Sequence, residues 1–94
     1  MRVLVLLSGE VESDVLRERC APILAGGDEL ALCYVLAPHA DLREAIPVQR
    51  KITSLLRRVF EEAAENVAVF VATDTDGDRV VDWARVWGAA DVRP

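Results

Sequence analysis

The chain has 94 residues, of which 52% are apolar and 29% charged, and its formal net charge is −5. That length holds one domain, residues 1–94, and the balance of apolar and charged residues is that of a globular chain, not a disordered one. The acidic balance argues against general affinity for nucleic acid, which needs a basic face. No apolar run approaches the roughly 20 residues of a membrane span.

Arg2 to Ser8 is a nearly continuous run of Val and Leu, the pattern of a parallel strand covered on both faces. Ser8, Gly9, Glu10 and Glu12 break this run too early for a signal peptide, so a cytoplasmic location is expected. Ser13 or Asp14 can cap a following helix, in which Val15, Leu16, Cys20, Ile23 and Leu24 recur at helical spacing. Pro22 inside that pattern predicts a kink or an early stop. Gly26-Gly27-Asp28 closes the helix, and Leu30 to Leu36 reads as the second strand.

A short helical turn is expected around Leu42 to Ile46. Pro47 then fits the first turn of a long helix running to about Asn66. Its stripe is Ile52, Leu55, Leu56, Val59, Phe60 and Ala63. Val67 to Ala72 is the third strand, and Asp74-Thr75-Asp76-Gly77-Asp78 is a polar turn and cap. The third helix runs from Arg79 to about Gly88, with Val80, Trp83, Ala84 and Trp87 near one face. The alternation β-α-β-α-β-α demands a parallel sheet with right-handed crossovers, hence an α/β, Rossmann-like fold with helices on both faces.

Few residues are placed for chemistry. Cys20 and Cys33 have neither metal-ligand spacing nor a histidine partner, and both sit among apolar neighbours as buried free thiols do. Arg50, Lys51, Arg57 and Arg58 fall at helical spacing beside Glu61, Glu62 and Glu65, which describes a solvated mixed-charge face. Counting from Asp74, the sixth and twelfth positions are Arg79 and Arg85, where a calcium loop would need Gly and Glu. His39, near the end of the second strand, has no nucleophile beside it, and a loop histidine is the plain reading. No catalytic residue and no metal site is expected.

Taken in order, Ser8-Gly9-Glu10, Gly27-Asp28-Glu29-Leu30, the long second helix, Gly77-Asp78 and Gly88-Ala89-Ala90-Asp91-Val92 resemble the successive turns of the universal stress protein family, over the whole chain. The resemblance implies strand order 3-2-1 and a stress-response role; the fourth strand it would add is expected to be vestigial or absent here, since only Arg93 and Pro94 follow Val92. It also implies an adenine-nucleotide site at the C-terminal ends of the strands, here Ser8, Gly9, Ser13, Val35 and Thr73. Ser8 stands where nucleotide-binding members have Asp, and no glycine follows Gly88 to form the family's phosphate loop. Loss of ATP binding is therefore expected.

Ser8-Gly9-Glu10-Val11-Glu12-Ser13 is also similar to the pyrophosphate loop of PP-loop ATP pyrophosphatases, Ser-Gly-Gly-x-Asp-Ser, but Glu10 brings like charge and bulk toward a phosphate. An acidic surface turn opening a helix is the simpler reading. With the fourth strand absent, the edge of the first strand would be bare. A homodimer is expected to shield it, either by pairing the first strands of two subunits through Val3, Val5 and Leu7 or by swapping the C-terminal tail, with Trp83 and Trp87 as interface anchors or else as cover for their own sheet. The leading expectation is a non-catalytic homodimeric regulatory or scaffold module, open to an unknown protein partner. The alternative is an ATP-binding stress protein or weak ATPase using the Ser8–Ser13 loop. A third possibility is one half of a hetero-assembly.

Overall fold

In the computed structural model, β1 (Arg2–Leu7), α1 (Ser13–Ala25), β2 (Glu29–Leu36), α2 (Ala45–Phe60), β3 (Ala68–Thr73), α3 (Gly77–Trp87) and β4 (Asp91–Arg93) follow one another. Short 3-10 segments at Leu42–Glu44 and Glu61–Asn66 flank α2. The structure describes residues 1–37, 40–73 and 77–94, and of Leu42, Thr73 and residues 77–79 the backbone alone. His39 and the Asp74–Asp76 part of the expected cap lie outside the described residues.

The strands form a 4-stranded sheet in the order β3-β2-β1-β4, parallel at every pairing. Alternation along each strand divides the core between the two faces. Val3, Val5, Leu7, Leu30 and Leu32 point to one side and bury against Leu16, Cys20 and Ile23 of α1 and Ile52 and Leu56 of α2. Leu4, Ala31, Cys33 and Ala72 point to the other, where α3 lays down Val80, Trp83, Ala84 and Trp87. The result is the expected three-layer α/β arrangement. Trp83 stacks on Phe70 with ring centroids 4.7 Å apart.

Trp87 is clasped from below by Arg2. The guanidinium carbon lies 5.7 Å from the indole centroid, Nη1 donates to the Trp87 carbonyl at 2.6 Å, and Nε donates to Glu29 Oε2 at 2.7 Å. Gly88 closes α3 with φ +81, and a Cβ there would come within 3.3 Å of Arg2 Nη1. The left-handed backbone favours glycine, and a Cβ would also crowd the end of the Arg2 side chain. The Ala90 N–H then donates to the Arg2 carbonyl at 2.8 Å and leads the chain into β4.

Several expectations are corrected. The edge of β1 is not bare: Asp91, Val92 and Arg93 pair with Val3, Leu4 and Val5. Val3, Val5 and Leu7 are buried in the chain's own core, while Trp83 and Trp87 follow the second of their two expected readings and cover their own sheet. Helix α1 runs through Pro22 to Ala25. The missing N–H falls opposite Glu18, an exposed residue whose carbonyl water can serve. Helix α2 begins at Ala45 and holds Pro47 in its first turn, as expected, but it ends at Phe60 rather than near Asn66. Glu61 turns to φ +52, and the tighter 3-10 winding that follows buries Ala64 in place of Ala63.

Leu32 is fully buried at the centre of the sheet. Leu32→Ala is expected to lower the free energy of unfolding by about 2–5 kcal/mol in a urea titration, through lost transfer energy and the cavity left behind.

Candidate functional site

In open parallel sheets, ligands gather outside the carboxyl ends of the strands where the strand order reverses. Here that point lies between β1 and β4. A groove of about 360 Å³ occupies it, bounded by Leu6, Leu7 and Ser8 at the end of β1, Val11, Val15 and Arg19 from the loop and α1, Val35 of β2, and Pro94. The groove brings together Ser8 and Val35 of the residues expected at a site. Gly9 and Ser13 are not part of its wall, and the Thr73 side chain lies outside the described residues.

The loop between β1 and α1 is held from three sides. Gly9 has φ +66, and a Cβ there would meet no heavy atom within 4 Å. Glycine therefore serves the backbone conformation and not a close approach. The Tyr34 hydroxyl donates to the Gly9 carbonyl, and Val11 is buried against the α1–α2 face. Glu10 and Glu12 stand exposed. Glu12, not Ser13, is the N-cap residue, and its side chain makes no capping hydrogen bond.

Arg19 is the cation among the residues lining the groove, and it is already engaged. Its Nη1 donates to the Leu6 carbonyl at 2.6 Å, and its Nη2 donates to the Pro94 carbonyl. Leu6 lies one residue beyond the last β1–β4 pair, so the guanidinium takes over where the ladder stops. The adjoining loop carries Glu10 and Glu12, both exposed. An arrangement of this kind suits an apolar or weakly polar occupant better than a polyphosphate, since the loop carboxylates repel an anion and the nearby guanidinium donates to main chain.

The thiols sit apart from the groove. Cys20 belongs to the core under α1 and Cys33 to the core under α3, so the sheet separates them. Burial pushes each from 9.0 up to about 11, with Arg19 pulling Cys20 slightly back. A thiol held protonated is a poor nucleophile. Among the described residues, no group of three or more His, Cys, Asp or Glu could hold a metal ion. Of the basic patch, Arg50 and Arg57 line an exposed polar groove on α2 together with Gln49, Thr53 and Ser54, and Lys51 and Arg58 do not. Among the described residues, no helix is long and apolar enough to cross a membrane.

Arg19 and Tyr34 were not marked by sequence reasoning, though each left a trace. Arg19 follows Val15 at i+4 and so shares its helix face, and Tyr34 is the chain's single tyrosine, set in an otherwise apolar strand. No family model, no curated protein and no solved structure matches the chain.

Gly9→Ala should destabilise the fold by about 1 kcal/mol from backbone strain alone, read as a lowered urea midpoint. The thiols predict a pH dependence. The folded chain keeps these protons up to about pH 11, whereas the unfolded chain releases them near 9.0. Stability should therefore fall as pH rises from about 9 to about 11 and be indifferent to the thiols below that window. Urea titrations between pH 7 and pH 11 on the wild type and a Cys20→Ala, Cys33→Ala double variant check it.

Proposed function

We propose that the protein is a non-catalytic regulatory or scaffold module, similar to universal stress proteins and working as a homodimer in a cytoplasmic stress response. The observation that carries the non-nucleotide part of this reading is Arg19. The guanidinium at the switch-point groove is committed to the carbonyls of Leu6 and Pro94, while Glu10 and Glu12 stand exposed on the adjoining loop. The order of turns from Ser8-Gly9-Glu10 to Gly88-Ala89-Ala90-Asp91 supports the family comparison.

A second reading, nucleotide binding or weak ATP hydrolysis, draws on the groove itself, which has Ser8 and Val35 in its wall at the place where α/β sheets bind ligands. Titration calorimetry with ATP, with and without magnesium, separates the two. No binding tighter than about 100 μM, equivalent to about −5.5 kcal/mol, is expected. Tighter binding, weakened by Ser8→Ala, would replace the first reading with the second.

A further inference from the structure

The two outer strands of the sheet are unlike. β4 is 3 residues long, and its Asp91 and Arg93 side chains are joined at 3.0 Å. A short strand carrying charges is a guarded edge. β3 is 6 residues long, Ala68-Val69-Phe70-Val71-Ala72-Thr73, with neither a charge nor a proline. Beside it lies a groove of about 220 Å³ whose wall includes Ile46 and Gln49 of α2, Val69 and Val71, and Trp83 of α3. Helices α2 and α3 cover opposite faces of the sheet, so a groove touching both wraps the outer edge of β3. Gln49 Nε2 donates to the Val69 carbonyl there at 2.9 Å, a side-chain donor standing where a strand would supply one. Ile46 is 59% exposed on the rim.

We propose that β3 is a self-association edge. Two copies pair their β3 strands antiparallel about a two-fold axis normal to the sheet at Phe70, which sets Val69 of each copy opposite Val71 of the other. This choice of edge rests on the homodimeric reading above and specifies it. An isologous pairing of this kind uses both β3 edges and leaves only the guarded β4 edges outside, so the assembly closes at two copies. Gln49 swings aside, and a main-chain N–H of the second copy takes the Val69 carbonyl.

Charge favours a second copy as the occupant. The axis sets the two α2 helices side by side on one face and antiparallel, about two strand spacings or roughly 10 Å apart, an ordinary helix-packing distance. Gln49 also lines the polar groove that holds Arg50 and Arg57. The two-fold carries this basic side of one α2 toward the start of the other, where Glu44 is exposed. Asp41 at that end is already paired with Arg43 at 3.0 Å, so Glu44 is the carboxylate opposed to Arg50. The C-terminal halves of the helices point away from each other, and their Arg57 and Arg58 side chains do not meet.

The test is sedimentation velocity and native mass spectrometry over roughly 1–100 μM, a range bracketing weak to moderate association. The wild type should approach twice its chain mass of 10.3 kDa. Ile46→Arg, on a rim exposed in the single chain, should leave circular dichroism and thermal unfolding of dilute protein unchanged and weaken the dimer about tenfold or more. Arg50→Glu and Glu44→Arg should each weaken it, and the double exchange should restore it. Val92→Glu on β4 should leave it intact. A wild type that stays monomeric at 100 μM overturns the edge and the homodimeric reading together, leaving the ATP result to judge the rest. A dimer indifferent to Ile46→Arg and to the charge exchange, or one lost with Val92→Glu, overturns the β3 edge alone.

Discussion

Main-chain N–H and C=O groups left without partners at the margins of a sheet are the constraint on which this small fold turns. A parallel sheet of 4 strands has two such margins, and the chain deals with them by different means. On one side the short β4 covers Val3 to Val5 of β1, and where it stops the Arg19 guanidinium takes the next free carbonyl and that of Pro94. On the other side the side-chain amide of Gln49 reaches the β3 backbone. One margin is closed by strand, ion pair and guanidinium together, and the other by a group that can swing away.

This unequal treatment links fold to site. Arg19 sits where a switch-point ligand would be met, yet its geometry serves the sheet. The groove is left with a mostly apolar wall beside a loop that carries Glu10 and Glu12. The glycine, tyrosine and valine that fix the neighbouring loop also act through the backbone and core: Gly9 by its φ, Tyr34 by a hydrogen bond to Gly9, Val11 by burial. Gly9, the glycine that first suggests a phosphate loop in Ser8-Gly9-Glu10, therefore has a structural occupation.

Much of the architecture is legible in the chain itself. Continuous Val and Leu runs mark strands covered on both faces, and their alternation with helical patterns fixes parallel pairing and the three layers. Ser8 and Val35, read as lying at the carboxyl ends of their strands, line one groove, whereas Gly9 and Ser13 are not in its wall. What stays hidden depends on tertiary context. β4 is three residues with two charges, too short and too polar to announce itself, and it forms because Arg2 and Gly88 deliver Ala90 to the edge of β1. The end of α2 is concealed because Glu61 adopts a left-handed φ without the glycine that would signal it. Arg19 reads as one more charge on an amphipathic helix until the fold places two carbonyls beside it.

The contrast between the two margins is tested most directly by amide hydrogen exchange at residue resolution, followed as the protein is concentrated. Protection along β3, Ala68–Thr73, should rise with concentration, while Asp91–Arg93 of β4 keeps its exchange rates. Protection that rises at β4, or that stays constant in both strands, would contradict the assignment of β3 as the open margin.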